Sequence, residues 1–166
     1  MNGKTKARED FLSWDDTFML MADLIAKRSK DPSTQTGSVI VDQNNVVLGL
    51  GYNGFPRGTK EGDFPWDREG GYEKDEFLKT KYPYVVHAEV NAIFNSNNKI
   101  EGAKMYCHLF PCNECAKAII QNGVKELIYQ EDKYNDVDIF QASRKLFDAA
   151  GIKVRQYIPT KKLEIK

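Results

Sequence analysis

The sequence predicts one α/β domain with helices on both faces of a single sheet. Three observations carry that expectation. From residue 87 onward, segments of strand and helix character alternate. Before that, "TGSVIV" and "VVLGLGY" are β-branched runs separated by "DQNN", which reads as two paired strands joined by an Asp/Asn turn. The whole is 166 residues with 41% hydrophobic content, the size of one domain with a substantial core, so residues 1–166 are read as a single unit.

Taken in order, residues 14–29 place Trp14, Phe18, Met21, Ala22 and Ile25 on one side at helical spacing, with Asp15, Asp16 and Lys27 left for the other. The paired strands follow. Residues 53–84 then change texture, holding five of the twelve glycines and three of the six prolines. A loop of that length inside a compact domain is functional or partly disordered. Next come a helix at "HAEVNAIFNS", a strand near "AKMYCHLF", a helix from "CNECAKAIIQN" stopped by Gly123, and a strand "KELIYQ". A helix with Ile139, Ser143, Leu146, Phe147 and Ala150 on one face ends at Gly151, and a last strand lies near "IKVRQYI". The tail, residues 159–166, is expected to fray.

Charge and composition exclude several classes of function. Lysine plus arginine (24) equals aspartate plus glutamate (24), so no general field draws the chain to nucleic acid or to a membrane surface. No stretch approaches the roughly 20 apolar residues of a membrane span, and the N-terminus has no apolar run of a signal peptide. A cytoplasmic protein is expected. Three cysteines is an odd number, and two of them form "CNEC", a spacing that suits a metal better than a disulfide in a reducing compartment.

Cys112 and Cys115 are three apart, neighbours on one face of a helix, where both can reach one ion. Pro111 before them fits a helix start, and the positive end of the helix favours thiolate, the form that binds zinc. His87, one of only two histidines, is the expected third ligand. Three protein ligands leave a tetrahedral position open, the mark of a catalytic zinc. Glu89 follows His87 by two; in a first turn both can face one pocket, and a carboxylate there can move protons for a zinc-activated water. His-x-Glu followed by Pro-Cys-x-x-Cys is the general pattern of zinc-dependent nucleobase deaminases. Cys107 and His108 lie nearby on a strand that points them to opposite faces. Cys107 is expected to be a buried apolar residue, and His108 a neighbour of the site but not a ligand.

Through "AKRSKDPSTQTGSVIV", "GYNGFPRG", "HAEVNAI" and "LFPCNECAKAIIQNGVKELIY", the chain resembles the deoxycytidylate (dCMP) deaminase family from about Asp15 to Tyr157. The resemblance implies a three-layer α/β/α cytidine-deaminase-like fold with a mixed five-stranded sheet. It implies hydrolysis of dCMP to dUMP and ammonia, which supplies dUMP for thymidylate synthesis, with one Zn(2+) per chain. It further implies a homohexamer activated by dCTP with Mg(2+) and inhibited by dTTP. In that reading Glu89 gives a proton to N3 of cytosine and then to the departing amine, and the Ala88 backbone amide is a candidate donor to O2.

Arg28 and Ser29, at the end of the first helix, are the candidates for the 5′-phosphate, although basic groups there also complement the helix dipole. Asn53 resembles the family position that holds the sugar hydroxyl. Tyr134 would pack against the base or bond the phosphate. "GYNGFPRG" resembles the effector loop: Gly54 and Gly58 would let backbone amides approach phosphates, Phe55 lies between them, and Arg57 would neutralise a triphosphate. Two other readings share parts of the pattern. A tRNA-type nucleic-acid base deaminase would need a basic groove, and a non-catalytic zinc-binding protein on the same scaffold would have no use for Glu89.

Overall fold

The computed structural model describes residues 5–166. The elements run α1 (Trp14–Ala26), β1 (Gly37–Val41), β2 (Val47–Tyr52), α2 (Ala88–Phe94), β3 (Lys104–Leu109), α3 (Asn113–Gln121), β4 (Glu126–Glu131), α4 (Asp138–Ala149) and β5 (Lys153–Gln156). The strands form one mixed sheet of order β2-β1-β3-β4-β5. β1 runs antiparallel to both β2 and β3, while β3, β4 and β5 are mutually parallel. The three-layer α/β/α fold with five strands is therefore present.

The period-two alternation of the strands divides the core between the two faces of the sheet. Val39, Val41, Tyr106 and Ile128 meet Phe18, Met19 and Ala22 of α1 on one face. Ile40, Met105, Cys107 and Leu127 meet Ala92 of α2, Ala116 and Ile119 of α3, and Phe147 of α4 on the other. In the β1–β2 turn, Asp42 Oδ1 accepts from the Asn44 and Val46 amides at 2.8 and 2.9 Å, and Asn45 adopts φ 62°. α2 lies directly on β2: a Cβ on Gly51 would sit 2.2 Å from the Ala88 carbonyl oxygen, and one on Gly49 would sit 2.4 Å from that of Ala92.

α1 differs from the sequence expectation. Its buried face holds Asp16, Phe18, Met19, Ala22 and Ala26, and Trp14 is 59% exposed. Asp16 is inside because it has partners from the far end of the chain: its two oxygens accept from the Thr160 amide and hydroxyl, both at 2.7 Å. Thr160 is thus anchored within the segment expected to fray. Asp15 accepts from both terminal nitrogens of Arg155, at 2.9 and 2.7 Å. α4 buries Ser143 and Phe147 as expected, but Ala150, beyond its last turn, is exposed. The long loop 53–84 has defined structure, including a 3-10 turn at Phe77–Lys79 and stacked rings at Phe55–Trp66 and Phe64–Tyr84. No helix among the described residues is long and apolar enough to cross a membrane.

Candidate active site

Two helix starts and the end of a strand converge on one point. His87 is the N-cap of α2 and Cys112 the N-cap of α3, each in extended conformation and neither using its side chain as a cap. Cys115 follows in the first turn of α3. The potential ligand atoms of His87, Cys112 and Cys115 all lie within 4.8 Å of one another. His87 Nδ1 is 3.3 Å from Cys115 Sγ and 3.5 Å from Cys112 Sγ. A tetrahedral zinc with ordinary Zn–N and Zn–S bonds has N···S edges of about 3.5 Å, so the trio fits that ion in both donor type and spacing.

The charges before an ion binds are set by mutual contact. The Cys112 thiol is brought down to about 4, first by its hydrogen bond with Cys115 and, against the opposing effect of burial, by His87. His87 is raised to about 9, first by its bond with Cys112. Cys115 is pushed well above the usual thiol range by the same Cys112 contact and by burial. Glu89, 8% exposed, receives a hydrogen bond from Cys115 Sγ at 3.7 Å, which places its carboxyl beside the trio. Burial raises that carboxyl, with His87 opposing.

His87, Glu89 and Cys112 wall a cavity of about 270 Å³. Leu109, Phe110, Ile139 and Phe140 give it an apolar side, and Tyr134, stacked on Phe140 with centroids 5.5 Å apart, joins them. Asn53 lies on a polar side and is held rigidly. Its Oδ1 accepts from the Thr36 amide at 2.9 Å, and its Nδ2 donates to the Thr34 carbonyl at 2.9 Å and to Asp31 at 3.3 Å. Both amide hydrogens are used, which leaves one lone pair on Oδ1 for another donor. Asp31 in turn pairs with Lys81, the two side chains being 1% and 8% exposed. The Ala88 amide, in the first turn of α2, has no acceptor within its helix.

Arg28 is not among the residues that wall this cavity. α1 ends at Ala26, and Arg28 and Lys30 project to a second pocket of about 200 Å³ with Tyr52, Gly54, Phe55, Arg57, Gly58, Lys60 and Trp66. Ser29 is also committed elsewhere: its hydroxyl donates to the Asn53 carbonyl at 2.8 Å. Within the second pocket the Gly54 amide is already paired, donating to the Val86 carbonyl at 3.1 Å, whereas the Gly58 amide has no such partner among the described residues and Gly58 sits at φ 90°. Arg57 donates to Asn95. His108 turns to the opposite face of the sheet, 3.6 Å from Asp23 of α1 and 3.7 Å from Glu131, so it is not a neighbour of the site. Cys107 is the member of that pair packed on the site's side, buried with Cys112 and Cys115.

Sequence reasoning missed Arg68, Tyr72, Lys81 and Tyr82, which also wall the cavity. All come from the long loop, where no periodicity assigns a direction to a side chain. The run "KYPY" just before His87 was the available signal, because a charge among aromatics that close to a metal ligand has to pack near it.

A family model described as "Cytidine and deoxycytidylate deaminase zinc-binding region" matches residues 12–131. The deoxycytidylate deaminase of Homo sapiens is 50% identical over 155 residues, covering 93% of this chain and 85% of that one. The probable deoxycytidylate deaminase of Drosophila melanogaster is 48% identical over 157 residues, covering 93% and 77%. Among solved structures, the dCMP deaminase of cyanophage S-TIM5 in complex with dCMP and dUMP is similar with a TM-score of 0.64 at 27% identity, covering 86% of this chain and 95% of that one. Shared fold, shared sequence and the converging His, Cys, Cys and Glu lead to one assignment: the chain belongs to the cytidine and deoxycytidylate deaminase family.

Proposed function

We propose that this chain hydrolyses dCMP to dUMP and ammonia. One observation carries the reading: a buried carboxylate, Glu89, beside a His/Cys/Cys trio of zinc dimensions at the floor of a cavity of nucleoside size. Relatives at about 50% identity that bear the name deoxycytidylate deaminase support the substrate.

Zinc held by His87, Cys112 and Cys115 would supply the activated water for attack at C4 of cytosine. The protein's own groups do the rest. Glu89, its proton affinity raised by burial, gives a proton to ring N3 and carries a second to the departing amine, two atoms on one edge of the base. The Ala88 amide donates to O2. The remaining lone pair of Asn53 Oδ1 accepts from the sugar hydroxyl, and Tyr134 flanks the base along the apolar wall.

The second pocket is the proposed effector site. Arg28, Lys30, Arg57 and Lys60 surround it against one carboxylate, Glu61, and Phe55 on Trp66 offers a stacked aromatic surface for a base. A nucleoside triphosphate with Mg(2+) suits that surplus of positive charge. In this reading dCTP activates, dTTP inhibits, the active form is a homohexamer, and the dUMP formed feeds thymidylate synthesis.

The test is ammonia release from a panel of cytosine and adenine nucleotides, with and without dCTP, alongside the solution mass of the protein. Release from dCMP that rises with dCTP at low substrate is expected. Turnover of an adenine substrate in its place would remove the reading, and an unaltered rate curve would remove the effector site.

A further inference from the structure

We propose that Arg68, from the long loop, reads the 5′-phosphate of the substrate, and so sets the preference for a nucleotide over a nucleoside. The inference rests on the proposal that the cavity takes a cytosine nucleotide.

Depth orders the cavity. Glu89 and Cys112, at its floor, are 8% exposed, whereas Tyr72 is 65% exposed and Arg68 is exposed beside it. A nucleotide whose base reaches Glu89 has its phosphate at the opposite end of the molecule, at the mouth.

Besides the metal-ligating His87, Arg68 and Lys81 are the basic side chains that wall the cavity, and only Arg68 is available. Lys81 is buried against Asp31 and already neutralised. Arg68 has no carboxylate partner among the described residues. Its Nε donates to the Tyr82 hydroxyl at 3.5 Å, and Tyr134 is a weaker second partner, so phenols rather than carboxylates hold the guanidinium. A planar fork of donors steadied by phenols matches two phosphate oxygens at once. Arg28, the residue that local sequence suggests for this task, faces the other pocket.

The experiment measures dissociation constants of the zinc-loaded full chain for dUMP and 2′-deoxyuridine by calorimetry, with kcat and KM for dCMP. Arg68→Met is expected to weaken dUMP binding about 10- to 100-fold, the loss of charge-assisted hydrogen bonds. The same variant should shift deoxyuridine binding by less than about twofold, since that ligand lacks the phosphate. The loss in turnover should fall on KM for dCMP, and Arg68→Lys should regain part of it by keeping the charge. Equal weakening of both ligands, or of neither, overturns the proposal. So does loss of the dUMP preference in Arg28→Met with Arg68→Met unaffected, which returns the phosphate to the end of α1. Failure of the wild-type chain to deaminate dCMP would instead strike the reading of the cavity itself.

Discussion

The cavity over Glu89 and the pocket behind Phe55 share a wall but are built from different material. Asn53 faces the first, and its neighbours Tyr52 and Gly54 face the second, as alternation along an extended segment requires. The reactive groups of the first cavity hang from two helix starts: His87 and Cys112 are N-caps, and Glu89 and Cys115 lie in first turns. The second pocket is lined mainly by the end of β2 and the loop that follows it. Positions on regular elements are fixed by many hydrogen bonds, whereas loop positions can move as a unit. The difference suits a fixed chemical centre beside a more adjustable pocket, the one proposed to take an effector.

Replacing the proton carrier is the hardest blow to that comparison. Glu89→Gln keeps the shape and the trio, so zinc should remain bound while ammonia release from dCMP falls by about 10²- to 10⁴-fold. Metal content and rate on the same preparation check it, and near-normal turnover would leave the rigid centre without its chemistry. The strut between loop and scaffold comes next. Lys81→Met strands the Asp31 carboxylate in the interior, and removal of one member of a buried pair costs about 3–5 kcal/mol. Denaturant unfolding should show that loss, with Asp31→Asn in the same chain recovering most of it; an unchanged midpoint would mean the loop is held by other contacts.

Metal uptake sharpens the description of the floor. Protein stripped by a chelator carries protons on His87, at about 9, and on Cys115, while Cys112, at about 4, is already ionised. Zinc has to displace both protons, so about two are released per ion near neutral pH. Because protons compete with the ion, affinity falls as pH falls, by about a hundredfold per unit between those limits. A competitive zinc indicator measures the slope, and a value near zero would exclude this donor set. The smallest expected effect lies in the loop pocket: Arg57→Ala should raise the dCTP concentration for half-maximal activation about tenfold. Rates at low dCMP read it directly, and no shift would separate Arg57 from the effector.

The centre was legible because its spacing is local. Cys112 and Cys115 are one helical turn apart, and His87 as a cap with Glu89 in the first turn of the same helix face one pocket, so each pair is set by a few neighbouring residues, and the five strands and four helices follow from periodicity. What escaped depends on distant partners. Asp16 reads as a surface residue until Thr160, 144 positions away, docks on it. Arg28 reads as a phosphate ligand because nothing in α1 records which way the chain leaves the helix. Alternation puts Cys107 and His108 on opposite faces without saying which face α1 will cover. Arg68 and Lys81 sit in a loop with no period to orient them, and only the folded chain shows that one is neutralised and the other is not.

The contact of β2 with α2 has a consequence for evolution of the sequence. With Gly51 pressed against the Ala88 carbonyl, even one methyl group would wedge the helix outward, and His87 and Glu89 would ride with it while the two sulfurs stayed behind on α3. A change on a strand that carries no reacting group would then open the gap that the ion has to span, so the reach of the catalytic grip is gauged by a hydrogen atom on the opposite element.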